Sequence, residues 1–266
     1  MFKKMRLGWI GAFTLFRKEV KRFLRVIGQT VFTPIVNSIL YILIFGINLG
    51  GNVVGIDDKG SYLAFLIPGL IAMNVLNNAF QNVVGTLMIS KFHGDLEDLK
   101  LVPLTPHQII WALSLASTLR GLIIGALVAC VGQYFLSHYE NRSLELLSPS
   151  LLMFFLIVGG TFFAQIGICV GLWAKTFEQA SAVGTFILMP LIYLGGTFFP
   201  LNTLDPFWQN ISRLNPLLYY TNGIRYATLG LIDLSVVVCI LVAIASFICT
   251  YLMALWSVKH GKYSRW

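Results

Sequence analysis

Ionised side chains are what this chain has least of: charged residues make up 11% of it and hydrophobic ones 57%, where soluble domains carry roughly a quarter charged residues. That balance excludes a water-soluble globule, which could not cover its surface with so little charge. Acidic residues are the scarcer sign, 11 against 19 basic, and none lies deep within a long apolar stretch. A carrier driven by protons or sodium binds its coupling ion on an acidic group at depth, so energy, if used, comes from another subunit. Catalytic signatures are missing too: there is no GxxxxGK[ST], no HExxH and no GxSxG, and His93, His107, His138 and His260 are scattered through loops and ends. An enzyme or a metal site is not expected from this. The four cysteines, Cys130, Cys169, Cys239 and Cys249, stand singly in apolar runs without CxxC spacing and read as small core residues.

What the chain has is length without charge. Uncharged stretches cover 26–49, 61–90, 109–139 (broken once by Arg120), 150–174, 179–204 and 234–258. Each suffices for a helix of the ~20 residues that cross a bilayer. The expected fold class is an all-α membrane protein with six transmembrane helices. Residues 1–25 form an N-terminal amphipathic interfacial helix, and 26–266 form one six-helix transmembrane domain with no room for another globular unit. In the first segment Trp9, Phe13, Phe16, Val20, Phe23, Leu24 and Ile27 share one helical face, and Arg17, Lys18, Lys21, Arg22 and Arg25 the other. Eight of the basic residues fall in the first 25 positions, and contact with anionic lipid headgroups explains them better than nucleic acid does. With the N-terminus in the cytoplasm, fourteen Lys and Arg lie inside and four (Lys59, Arg142, Arg213, Arg225) outside. That asymmetry favours cytoplasmic termini.

Several features can carry function. Asn74, Asn77, Asn78, Gln81 and Asn82, followed by Gly85, fall on one face of the second span. Amides facing lipid are costly, so this face either bonds to other helices or walls a polar route. Ser117, Gly121, Gly125 and Ala129 in the third span permit close approach of another backbone. Arg120, inside that span, is a functional candidate or a staple, and its expected partner is the amide face or a backbone carbonyl. The loop 91–107 alternates leucines with Asp95, Glu97, Asp98 and Lys100, which suggests a short amphipathic helix ended by Pro103 and Pro106. It rests on the membrane surface or docks a soluble partner. Pro190 and Gly195-Gly196 predict a kinked, irregular outer half of the fifth span. The stretch 202–233, broken by Pro206, Asn215, Pro216 and Gly223 but rich in aromatics, predicts short re-entrant outer helices between spans five and six.

Two stretches, GDLEDLKLVPLTPHQ at 94–108 and GGTFFPLNTLDPFWQNISRLNPLLYYTNGIR at 195–225, make the chain resemble the type-2 ABC transporter permeases over essentially its whole length. Phe199-Pro200, Asn215, Pro216, Leu217, Tyr220 and Arg225 stand in the order of that family's outer hairpin. Asp95 departs from the small hydroxyl residue common after the glycine. The resemblance implies a half-transporter of the inner (plasma) membrane that pairs with itself, as a homodimer, and with a separate ATPase subunit. ATP and Mg would bind that partner, and this chain would bind no cofactor or metal. Gly94, Asp95, Leu96, Glu97, Leu99, Pro103 and Pro106 would form the coupling loop, with Leu96, Glu97 and Leu99 docking and residues 175–180 adding a smaller contact. A route between protomers would be lined by Asn74, Asn77, Asn78, Gln81, Tyr193, Phe198 and Phe199. The expected function is ATP-driven export of an amphipathic or hydrophobic molecule. Polysaccharide export by the same architecture, or a passive channel or scaffold, are the alternatives.

Overall fold

The computed structural model describes residues 2–49, 61–97, 102–144, 146–230 and 234–261, with side chains from Trp9 onward apart from Gln29 and Leu49. All regular structure among the described residues is helical. Helix α1 (Phe2–Arg25) leads into α2 (Ile27–Tyr41), which continues as wider π turns over Ile42–Leu49. The long helices α3 (Tyr62–His93), α4 (Pro106–Glu140) and α5 (Pro149–Trp173) follow. Helix α6 (Phe177–Thr197) is broken by π turns at Gly184–Leu188 and Tyr193–Thr197. Helices α7 (Pro206–Leu214), α8 (Pro216–Leu229) and α9 (Val236–His260) complete the order. Six of them, α2 to α6 and α9, are long and apolar enough to cross a membrane.

Local chemistry sets the ends. The Ser61 hydroxyl accepts from the Ala64 N–H at 3.1 Å and opens α3, and Gly94, with φ 84°, closes it in the left-handed conformation that a side chain resists. Thr105 and Gln108 form a reciprocal capping box with Pro106 at the first helical position of α4. Pro106 therefore does not end the loop helix, as the sequence suggested, but starts the next span. Asp205 and Asn215 cap α7 and α8 by accepting from the Phe207 and Leu217 N–H groups, each ahead of a proline. The irregularity of α6 falls where Pro190 and the glycine pair lead one to expect it, with Gly196 at φ 75°.

Helix α3 is buried along most of its length and lies at the centre, packed by α4, α5 and α8. Close backbone approach makes this possible. A Cβ on Gly121 would meet the Val75 carbonyl oxygen at 2.5 Å, and one on Gly125 would strike the Val75 side chain. The small-residue stripe of α4 is thus a contact surface for α3. Burial declines outward: Phe32 on α2, Phe186 on α6 and Leu241 and Leu252 on α9 are all exposed on the outside of the bundle. Cys130 and Cys249 are exposed as well, so only Cys239 is fully a core residue, with Cys169 half-buried. Their helices turn an outer face there, and an apolar face needs no core when its surroundings are lipid.

Helix α8 is largely buried against α3, α5 and α9, whereas α7 presents Phe207, Trp208 and Leu214 outward. The polar stretch between spans five and six thus forms two short helices of unequal burial.

The close contact at Gly121 has a measurable consequence. Gly121→Ala should lower the unfolding midpoint in detergent, at a cost of about 1–3 kcal/mol from overpacking. Gly85→Ala, where nothing lies within 4 Å of the added carbon, should be neutral or stabilising by up to ~1 kcal/mol. Equal midpoints for the two variants would remove the α3–α4 backbone contact from the account.

Candidate functional site

The most concentrated chemistry lies where α1, α3 and α4 meet. Arg22 and Arg120 both donate to the Asn82 Oδ1, at 3.3 and 2.9 Å, and Arg22 also reaches the Asn82 carbonyl at 3.3 Å. The Asn82 amide nitrogen donates to Ser117 Oγ at 2.8 Å. Thr86 donates to Glu19 Oε2 at 3.0 Å and accepts from Arg22. Glu19, only 4% exposed, pairs with Arg22 at 3.1 Å. Two cations and one carboxylate thus converge on an amide in an otherwise apolar bundle.

Arg120 was expected to find the amide face of the second span, and it does. Arg22 was expected on the polar face of an interfacial helix and instead turns into the bundle. Phe23, assigned to the opposite apolar face, is buried too, because α1 packs along α4 rather than lying alone. Sequence reading missed Glu19, Thr86 and Ser117 as members of this cluster. The available signal was that Glu19 is the sole acidic residue in the first 56 positions, among eight basic ones.

Two adjoining cavities lie on the α2 side, the first reaching the cluster at Arg120. One of about 270 Å³ is lined by Asn74, Asn77, Asn78, Gln81 and Arg120, with α2 residues opposite. Asn74 and Asn78 are buried, Asn77 is half-buried and Gln81 exposed. Tyr41 also lines a second cavity of about 400 Å³, walled by Phe45, Tyr193, Phe198 and Phe199. The Phe198 ring is buried, 5.3 Å from Tyr41, 5.4 Å from Phe45 and 5.6 Å from Tyr193. The seven residues proposed for a route therefore line two adjoining cavities on one flank.

The end of α3 carries the charged loop. Gly94, Asp95 and Glu97 are exposed, as is Pro103, but Leu96 is wholly buried. Leu96 thus anchors the loop in the core and offers no docking surface; the alternation about Gly94 points it inward. Leu99 lies outside the described residues. A cavity of about 360 Å³ brings Asp95 and Leu96 together with Glu19 and Thr86. Lys91, counted with the loop charges, is in fact buried and donates to the carbonyls of Gly171, Leu172 and Ala174 at 3.1, 2.9 and 2.8 Å. It satisfies the last turn of α5, where a cation also suits the helix dipole. Phe92 stacks on Phe177 at 4.8 Å, so the loops 94–97 and 174–176 form one surface.

At the far end, the hairpin residues act as anchors. Asn215 accepts from the Leu217 N–H and donates to the Leu191 carbonyl at 2.6 Å, while Pro216 starts α8. The Tyr220 hydroxyl donates to the Ala243 carbonyl at 3.0 Å and its ring stacks on Phe162. Arg225, placed outside by the charge count, is 2% exposed. It donates to the Gly196 carbonyl at 2.7 Å and lies 3.6 Å over the Phe65 ring. It is held there because the broken end of α6 leaves that carbonyl without a helical partner.

Comparison with known proteins identifies the family. Residues 11–229 match the ABC-2 type transporter family. The chain is 35% identical to the inner membrane transport permease YadH of Escherichia coli strain K12, over 97% of this chain and 98% of that protein. It is 27% identical to nodulation protein J of Neorhizobium galegae, over 84% and 82%, and 26% identical to that of Rhizobium meliloti, over 84% and 81%.

Glu19→Gln removes the cluster's carboxylate and leaves two guanidiniums on neutral acceptors. Its expected cost is about 1–2 kcal/mol, read as a lower unfolding midpoint. The double variant Glu19→Gln/Arg22→Gln should cost less than the two singles together. Strictly additive midpoints would mean that the pair is not coupled.

Proposed function

Because the chain belongs to the ABC-2 type transporter family, we propose that it is the permease of an ATP-driven exporter that moves an amphipathic or hydrophobic molecule, powered by a separate ATPase subunit. The observation that carries this reading is the continuity from surface to cavity. The exposed acidic loop at Asp95 and Glu97 adjoins Glu19 and Thr86, these bond through Arg22 to Asn82, and Asn82 holds the Arg120 that lines the amide cavity. A partner that pushes on the loop therefore pushes on the wall of the cavity.

The exposed residues Gly94, Asp95, Glu97 and Pro103 form the docking surface in this proposal, with Leu96 as the anchor beneath. Residues 174–176 move with them through Lys91 and the Phe92–Phe177 stack. With Lys91 and Arg225 buried, thirteen basic residues remain on the inner side against three on the outer, which supports cytoplasmic termini and an inner-membrane location. A homodimer completes the route, because both cavities open on the flank formed by α2 and α6, where Phe32, Phe186 and Ile187 are exposed. A second reading, export of a polysaccharide, draws on the aromatic walls of the larger cavity, whose rings suit sugar faces.

Affinity purification of the tagged chain in mild detergent should bring down a phosphate-loop ATPase in stoichiometric amount. Glu97→Lys should leave insertion intact while uncoupling ATP hydrolysis from transport, and Leu96→Asp should instead lower the unfolding midpoint. Wild-type transport by Glu97→Lys would withdraw the coupling assignment. A chain that purifies without any ATPase would favour the passive channel or scaffold.

A further inference from the structure

Two arginines of this bundle lie at depth, Arg225 buried and Arg120 half-buried. Arg225 is bonded to the Gly196 carbonyl and laid on the Phe65 ring. Arg120 makes, among the described residues, one hydrogen bond, to the neutral Asn82 Oδ1 that Arg22 already uses. The nearby carboxylate of Glu19 is taken by Arg22, and Arg120 Nε is buried without an acceptor. A staple with a single shared bond could be an amide; the charge itself has no ion-pair partner among the described residues. Arg120 stands at the fifteenth position of α4, about 21 Å along it, where an unneutralised charge is costly.

The cavity that Arg120 lines holds five carboxamides and no acid. Two of those amides are oriented by their bonds. Asn74 Nδ2 donates to Leu70 O at 2.8 Å and Ser38 Oγ at 3.0 Å, and Asn78 Nδ2 donates to Asn74 O at 2.9 Å. Only the NH₂ end can donate to a carbonyl, so both side-chain oxygens are left as acceptors. The cavity therefore combines a cation with groups that seek hydroxyl donors, and it disfavours a cationic ligand.

We propose that this cavity binds an anionic, hydroxyl-bearing head of the cargo, with Arg120 taking the negative charge and the amide oxygens of Asn74 and Asn78 accepting from its hydroxyls. The cargo assignment rests on the permease reading above; the site itself does not. The apolar or ring-faced part of the same molecule then has the aromatic cavity beyond Tyr41. A phosphorylated sugar unit and a phospholipid head of the glycerol type share this chemistry.

The test uses the purified full chain in phosphatidylcholine nanodiscs without any ATPase, titrated calorimetrically with glucose 1-phosphate and, as the neutral control, glucose. Glucose 1-phosphate should bind and glucose should bind at least about tenfold more weakly, the scale of a charge-assisted hydrogen bond. Arg120→Gln should erase that preference and Arg120→Lys should keep part of it. Asn77→Asp, which sets a carboxylate in the cavity without altering the cluster, should weaken glucose 1-phosphate by a similar factor. Arg17→Gln/Lys21→Gln, on the exposed face of α1, should change nothing. No binding to the wild type, equal binding of the two sugars, or equal binding by Arg120→Gln or Asn77→Asp overturns the site. So does a loss of binding in Arg17→Gln/Lys21→Gln, which would move the anion to α1. Repeating the titration in phosphatidylglycerol discs separates the sources: competition there assigns the site to a lipid head, and unchanged affinity assigns it to a sugar phosphate. Failure to copurify an ATPase would withdraw the exporter reading and leave these binding results standing.

Discussion

One carboxamide oxygen holds three helices together. Asn82 on α3 accepts from Arg22 on α1 and from Arg120 on α4, and in a bundle this apolar those charges have few other places to go. A guanidinium left in hydrocarbon without acceptors is more costly than almost any packing defect. This constraint explains why α1 is docked and not merely afloat on the surface: Arg22 and Glu19 are committed to the interior, and Phe23 follows them. It also explains why α4 needs glycines at 121 and 125. Only a close backbone contact with Val75 brings the Arg120 side chain level with Asn82 while keeping the two helices sealed.

Helix α3 is fixed at both ends by similar means. At the loop end Lys91 gathers the last carbonyls of α5, and Phe92 meets Phe177. At the hairpin end a Cβ on Gly69 would sit 2.5 Å from the Thr197 carbonyl oxygen, so the broken turn of α6 lies directly on α3. Arg225 then secures that turn through Gly196, and the Tyr62 hydroxyl donates to the Phe198 carbonyl at 2.8 Å. The loops next to the proposed ATPase contact and the far hairpin are thus tied to one rigid rod.

Much of this was legible in the sequence, because the membrane makes apolar length a strong signal. The spans, the stripe at Ser117, Gly121, Gly125 and Ala129, the break at Pro190 and Gly195-Gly196 and the amide face could each be read from period and composition. What could not be read was which way a charged side chain points when its helix has two neighbours. Lys91, Arg22 and Arg225 were all assigned to water by position, and each instead satisfies orphan carbonyls or amides inside. Leu96 shows the same limit in reverse: an alternating pattern reveals that one side of the loop is apolar, not whether that side meets a partner or its own core. Such choices are made by tertiary contacts between residues 29 to 83 positions apart, for which a single sequence has no period.

The walls of the cavities divide accordingly into fixed and loosely held parts. The α3 and α4 side is bonded, capped and closely packed. The α2 and α6 side consists of exposed helices whose winding relaxes to π turns at Ile42–Leu49, Gly184–Leu188 and Tyr193–Thr197. Irregular backbone at membrane depth is tolerated where it is buried in protein or borders a cavity, and here it borders the aromatic cavity, which Phe45, Tyr193 and Gly196 line. A π turn already carries a hydrogen bond displaced by one residue, so its return to α geometry shifts the register of everything beyond it at little cost in bonds. Motion that begins at the loop therefore meets a stiff rod first and yielding walls second. In the proposed exporter the cavity would widen by displacement of α2 and α6, while Arg120 and the Asn74 and Asn78 amides stay in place.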